Sequence, residues 1–531
     1  MDTSKKRWLG LPFIAMGVAL TVIDATIVNV ALPSIIDDLG IDSTQAQWTQ
    51  EIYTLVFAST LLLFGRVADR IGRRRMFDLG VLVFVVASVF AATADGGSAL
   101  ILARLAQGFG GAMMLPTSLS LLNANFFGKD RGIAFAVWGS TIGAAAAFGP
   151  LIGGWLTTDF SWRWAFGINI PLGALVLLGV HLLVAESRGE HEQRGVDLIG
   201  SVLSVIGIGS IVFGLIEGRN FGWWKSLGDQ SLLGFDWTFP LSLVPVMFAL
   251  GGAVLTMFLA AEVARNRAGK PVLLDLQLLS IPSFRNANFA AAIISLGEFG
   301  LLFALPLWLQ NVLGYTPFDA GLILMALALG SFLASGAAAP LMKRFGAVGV
   351  VRIGIFLEFT GIGVSGLVIS PTTEWWMIVG PLFVYGMGVG FATAQLTGVA
   401  LADVPQAQSG QASGVTSTSR QLGSALGIAI LGTVLFTGLS TGVDTRLAEL
   451  PQYSQEQRTA LAVAVNASAG AVIPQLAQAP QTLPAAEAAG AALTDGARMS
   501  AFVGAAFLFL GWLATLRLGV RPQRVREESG V

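Results

Sequence analysis

The sequence predicts an all-α membrane protein of fourteen helical spans, and three observations carry that prediction. Only 12% of the 531 residues are charged while 54% are hydrophobic, and the mean hydropathy is +0.72. A soluble surface needs about twice that share of charge. Apolar runs of roughly 20 residues recur between polar breaks, the length that crosses a bilayer core as a helix. Basic residues cluster on alternate sides of those runs, as the positive-inside rule requires. Outer-membrane strands are excluded, because the runs lack the alternation and the roughly ten-residue length of barrel strands.

In order, the runs place spans at 9–32, 46–64, 76–94, 98–122, 132–156, 164–184, 196–216 and 239–261, then at 286–309, 318–341, 348–370, 375–399, 410–436 and 500–518. Lys5-Lys6-Arg7 resembles the start of a signal peptide, but the following run is too long and contains Asp24 and Asn29, so it reads as an uncleaved first span. With the N-terminus inside, 24 Lys and Arg residues, Arg420 among them, fall inside and 6 outside, with Arg104 within a span. Both termini are then cytoplasmic.

The chain also repeats. Arg70, Gly72 and Gly80 match Arg344, Gly346 and Gly354 at an offset of 274 residues, and Gly132, Ala134 and Val137 match Gly410, Ala412 and Val415 at 278. The expected organisation is a six-helix bundle over 1–190, two inserted helices and a cytoplasmic linker over 191–284, and a second six-helix bundle over 285–531. Duplicated halves are the architecture of a secondary transporter. An Ala- and Gln-rich stretch at 437–499, punctuated by Pro451, Pro474, Pro480 and Pro484, is expected outside the membrane, with a helix or helical hairpin around 455–473.

Composition narrows function. A net charge of −1 leaves no basic field for nucleic acid. The absence of cysteine and the presence of only two histidines, His181 and His191, leave no thiolate or imidazole cluster for a metal and no Ser/His hydrolase. No phosphate loop is visible either, so neither an enzyme nor a cofactor is expected.

The loop Gly65-Arg66-Val67-Ala68-Asp69-Arg70-Ile71-Gly72-Arg73 combines glycines that permit tight turns, an acid that can face a helix N-terminus, and arginines at the inner surface. It resembles the signature between spans two and three of the major facilitator superfamily. Asp24 through Pro33, Gln47 through Tyr53, Arg104-Leu105-Ala106-Gln107-Gly108, Ser161 through Pro171 and Arg420 through Gly423 are similar to further motifs of its fourteen-span drug/proton antiporter family. Gly139, Gly143, Gly149, Pro150, Gly153 and Gly154 resemble the antiporter motif; small residues there let another helix come close, and the proline removes a backbone bond. The resemblance covers residues 10 to about 436 and lapses in the 437–499 stretch. It implies the major facilitator fold with two extra central helices. It also implies a proton-coupled antiporter in the cell membrane that exports small amphipathic or lipophilic compounds by alternating access, conferring multidrug or antibiotic resistance.

Charges inside spans are costly unless paired or wet, so mechanism is expected there. At a rise of about 1.5 Å per residue, Asp24 lies roughly 13 Å, Glu51 roughly 8 Å and Arg104 roughly 9 Å below the outer ends of their spans. Two acids and one base in one layer cannot all neutralise each other, which makes Asp24 and Glu51 candidates to take the coupling proton and Arg104 their partner. A buried packing carboxylate at Asp24 and a snorkelling acid at Glu51 are the plainer alternatives. Glu298 and Glu358 are candidates for a second proton site or for binding a cationic substrate, with Phe299, Phe303 and Trp308 as aromatic lining suited to lipophilic cations. Expected partners are a small-molecule substrate and membrane lipid; a monomer is expected. Competing readings are an exporter or importer of one endogenous metabolite or lipid, and a non-transporting scaffold whose 437–499 stretch binds something outside.

Overall fold

The structure is a computed structural model that describes residues 3–41, 43–188, 197–227, 230–232 and 235–516. The first half comprises α1 Thr3–Leu39, α2 Ser43–Ile71, α3 Arg73–Ala92, α4 Gly97–Asn125, α5 Gly128–Asp159, the short α6 Arg163–Gly167, and α7 Asn169–Leu183. Next come α8 Leu198–Phe221 and α9 Leu243–Arg267. The second half comprises α10 Pro282–Asn311, α11 Pro317–Val368, α12 Trp375–Ala400, α13 Ser409–Ala448, α14 Gln455–Ala467, α15 Ile473–Leu476 and α16 Leu483–Thr515. Among the described residues thirteen stretches are long and apolar enough to cross a membrane. The 32-residue α5 lies between two of them, which is consistent with fourteen spans.

One helix hides two spans. α11 holds the stretches Phe318–Ala338 and Pro340–Val368, and it bends at Gly346, whose φ of 71° and ψ of 168° are not helical. Gly72, 274 residues earlier, separates α2 from α3 with φ 116°. Positive φ is open to glycine and costly for most other residues, so the repeat read from the sequence is also a repeat of backbone conformation. It continues into packing. Gly80 of α3 lies against the Gly110 carbonyl of α4, and Gly354 of α11 against the Gly388 carbonyl of α12.

Two features depart from the expected spans. The α8–α9 loop carries a small antiparallel hairpin, β1 Gln230–Leu232 on β2 Phe235–Trp237, with Gln230 opposite Trp237. At 437–499 the membrane helices do not end where hydropathy does. α13 runs on to Ala448 and α16 begins at Leu483. The two helices stay together because Gly438 meets Gly496 and Gly442 meets Ala492 at backbone distance, the close approach that small residues allow. Arg446 and Asp495 pair across the same contact. α14, started by a Ser454/Gln457 capping box, packs on α13, and α15 packs on α16.

α1 to α5 and α7 pack among themselves, as do α10 to α13 with α16. α8 and α9 form a pair that leans through α8 on α2 and α13. The two groups meet where α5 crosses α11 and α12, and where α2 and α4 meet α13.

Candidate functional site

In the first half, Asp24 of α1 and Arg104 of α4 form a direct ion pair, with side chains 0% and 1% exposed. Every arm of it is held. Arg104 Nε donates to the Thr49 carbonyl at 3.1 Å and Nη1 to Gln107 Oε1 at 2.8 Å. The guanidinium lies 4.4 Å from the Tyr53 ring centre, a cation–π contact. Asp24 Oδ1 accepts from Gln107 Nε2 at 2.9 Å and from Asn169 Nδ2 at 2.8 Å, and both amides also reach the Ser88 hydroxyl. Groups of α4 and α7 thus converge on the α1 carboxylate, with Ser88 of α3 holding both amides, and charge-assisted bonds of this kind are the strong ones.

Of the three residues expected to share a layer, the structure brings together two. Glu51 is half-buried, and the α2 residues that meet the Arg104 side chain are Thr49, through its carbonyl, and Tyr53, through its ring. The reason lies in helix phase. Thr49 and Tyr53 occupy the face of α2 turned to Arg104, and two residues from either is about 200° round the helix. Gln107, Asn169 and Ser88 are the members that sequence reasoning missed. Gln107 and Asn169 stand inside motifs already recognised; Ser88 carries no local signal.

The face bearing the Gly65–Arg73 loop holds the two halves together. Asp69 and Arg73, both 0% exposed, are paired at 2.8 Å. Asp69 also accepts the first free amides of α13, Gly410 N on Oδ1 and Gln411 N on Oδ2, each at 2.9 Å. A helix N-terminus favours a carboxylate through its unpaired donors and its dipole. Arg73 donates on to the Gln406 carbonyl at 2.7 Å, and Asn123 to the Ser409 hydroxyl at 2.8 Å. Gly65 completes the contact, since a Cβ there would stand 2.6 Å from the Gly410 carbonyl. A Cβ on Gly72 would strike the Glu186 carboxylate, which accepts the Arg74 and Arg75 amides. Arg66 and Arg70 point elsewhere, into a cleft of about 360 Å³ shared with Asp197, Ser201 and Leu273.

The antiporter-like glycines seat α5 on α1 just beyond Asp24. A Cβ on Gly149 would collide with the Thr26 hydroxyl, and one on Gly153 would stand 2.5 Å from Ile27. Gly139 is buried and Gly154 half-buried. Gly143 and Pro150 lie, as regards their surroundings, outside the described residues. A single methyl at Gly149 must push α5 away from α1, the helix that carries Asp24. Gly149→Ala is therefore expected to lower thermal stability by about 1–3 kcal/mol, as overpacking does, whereas Gly252→Ala, which meets nothing within 4 Å, should leave it unchanged in the same unfolding assay.

In the second half Glu298 and Glu358 are 4% and 0% exposed and interact electrostatically with each other and with Arg420. The proposed aromatic lining is not gathered around them. Trp308 is fully buried and its indole donates to Thr494 on α16 at 3.2 Å, while Phe303 packs edge-on against Phe436 of α13. Both are helix-packing residues. The Phe299 side chain lies outside the described residues. Arg420, counted from the sequence among the inside charges, lies eleven residues into α13, about 16 Å along it.

At the opposite end, Asp38 pairs with Arg163 and accepts from the Trp162 indole at 3.0 Å. These contacts hold the Asp38 carboxyl below its ordinary range.

The family model described as Major Facilitator Superfamily matches residues 14–428. The chain is 34% identical to the Streptomyces coelicolor protein named "Probable actinorhodin transporter", over 86% of this chain and 77% of that one. It is 34% identical to the puromycin resistance protein Pur8 of Streptomyces alboniger, over 81% and 82%, and 32% identical to the multidrug resistance protein Stp of Mycobacterium tuberculosis, over 82% and 78%. Among solved structures it is similar in fold to the human organic anion transporter MFSD10, with a TM-score of 0.60 at 13% identity over 96% and 99% of the two chains. These relatives, with many apolar helices, make the chain a multi-pass membrane transporter rather than an enzyme. It belongs to the major facilitator superfamily.

Proposed function

We propose that the chain is a proton-coupled exporter of small amphipathic or lipophilic compounds, antibiotics among them, working by alternating access of its two halves in the cell membrane with both termini in the cytoplasm. The observation that carries this reading is the fully buried Asp24–Arg104 pair in a protein whose relatives are export and resistance proteins. A proton arriving on Asp24 removes the charge that Arg104 neutralises and frees Gln107 and Asn169 to rearrange. α1 can then shift against α4 and, through the Gly149 and Gly153 seat, carry α5 with it. Since α5 packs on α11 and α12, the change reaches the second half. A ligand or proton can drive such a shift only by binding the two states unequally. The Asp69 contact with α13 is the closure of the cytoplasmic side. No cofactor takes part; the coupling ion is the proton, and membrane lipid is the surrounding partner.

The test is uptake of puromycin into proteoliposomes of the purified full-length chain under an imposed pH gradient. Accumulation that collapses with a protonophore is expected; equilibration that ignores the gradient would leave a facilitator without coupling. Orientation is checked separately with single cysteines in this naturally cysteine-free chain. An impermeant thiol reagent on intact cells should label Trp224→Cys and Val463→Cys, both at exposed positions, and should spare Ala268→Cys and Lys343→Cys.

A further inference from the structure

The repeat puts Glu298 where Asp24 stands in the first half, at the 274-residue offset that relates Gly72 to Gly346 and Gly80 to Gly354. α4 and α12 correspond at 278 residues. Gly110 lies against the Gly80 carbonyl and the Phe84 amide, and Gly388 against the Gly354 carbonyl and the Glu358 amide. The same offsets place Leu382 at the position of Arg104, Tyr385 at that of Gln107 and Glu358 at that of Phe84. The second half therefore keeps the acid, replaces its neutralising base with leucine, and adds a second acid.

The surroundings of these acids differ accordingly. Among the described residues Glu298 Oε1 accepts only from the Thr393 hydroxyl, at 3.3 Å, and the Tyr385 hydroxyl donates to the Glu298 backbone carbonyl. Glu358 is 0% exposed and, among the described residues, neither of its carboxylate oxygens has a hydrogen-bond partner. The charged and titratable groups acting on it are Glu298 from α10, Arg420 from α13 and Tyr385 from α12. Its Cγ lies against Gly388, where a Cβ would stand 2.6 Å away, so its contacts are those of helix on helix. A buried carboxylate without donors must be neutralised. In a contact this close the neutralising cation is a proton, not an ammonium group of a substrate.

We propose that Glu358, with Glu298 as its partner, is a second proton-binding site of the transport cycle, the counterpart in the second half of the Asp24 site. Arg420 is the group that varies its occupancy. It rides on α13, whose N-terminus the Asp69 latch grips and whose Gly423 and Gly427 slot against the α10 carbonyls of Ala292 and Leu296. Release of the latch moves α13 along α10, changes the distance from Arg420 to both acids, and so loads or discharges the proton.

This inference rests on the exporter reading, and its experiment separates the two. Infrared difference spectra of the purified full-length chain between acidic and alkaline buffer should contain the carbonyl stretch of a protonated, weakly hydrogen-bonded carboxylic acid. That band should disappear in Glu358→Gln and persist in Glu358→Asp. In proteoliposomes Glu358→Gln should lose about tenfold or more of gradient-driven puromycin accumulation, while puromycin counterflow without a pH gradient stays within about twofold. A purely packing role would move both transport readouts together or neither. A band unchanged in Glu358→Gln, or full gradient-driven accumulation by that variant, overturns the second site. If the parent accumulates no puromycin, the exporter reading is contradicted and the infrared band alone decides the site.

Discussion

Arg104→Gln is expected to be among the most damaging single substitutions in this protein. It leaves the Asp24 carboxylate buried beside two amides without its cation, and breaking one side of a buried pair costs about 3–5 kcal/mol. Asp24→Asn strands the guanidinium over Tyr53 in the same way. The double variant Asp24→Asn/Arg104→Gln restores a neutral set, since the introduced asparagine would be able to exchange hydrogen bonds with Gln107 and Asn169. It should therefore be destabilised by about 1–3 kcal/mol less than the sum of the two single changes. Thermal unfolding of the four proteins in one detergent measures that cycle. All three variants should fail in gradient-driven transport, because none retains an exchangeable proton beside a fixed charge. Additive losses of stability would mean that the two side chains do not act as a unit.

Asp69→Asn is the second change with a large effect, and it acts on conformation. The carboxylate receives Arg73 and two backbone amides of α13. An amide can neither pair with Arg73 nor accept on both of its heavy atoms. Bonds to charged groups contribute about 1.5–3 kcal/mol each, so the closed contact between the two halves should lose roughly ten- to a hundredfold in population. Spin labels on the exposed positions Phe127 of the first half and Ala402 of the second should shift toward a longer distance in Asp69→Asn. An unchanged distance distribution would reduce the contact to local packing.

The spans, the repeat and the Asp24–Arg104 encounter were legible because each rests on one-dimensional signals: apolar length, glycine spacing and charge depth. Depth alone could not rank Glu51 against Asp24. Both lie near the same layer, but the phase of α2 turns Thr49 and Tyr53, not Glu51, toward Arg104. Ser88 was invisible because a hydroxyl in an apolar run changes hydropathy little. Arg420 was misplaced for a related reason. It was counted with the inner-surface charges although the expected span already opened at 410; α13 starts at Ser409 and carries it eleven residues in. Trp308 reads as cavity lining in one dimension; only its bond to Thr494, 186 residues away, shows that it packs between helices. The helical extension at 437–499 escaped because hydropathy marks where a helix meets water, not where small residues keep two helices in contact.

In the proposed antiport, proton and substrate move as one process in opposite directions. The internal pH of dye-loaded proteoliposomes, recorded when a puromycin gradient alone is applied across them, reads that coupling. Proton flow against the direction of puromycin is expected, and its loss in Asp24→Asn. Puromycin flux with no change of internal pH in the parent protein would contradict the proposed antiport.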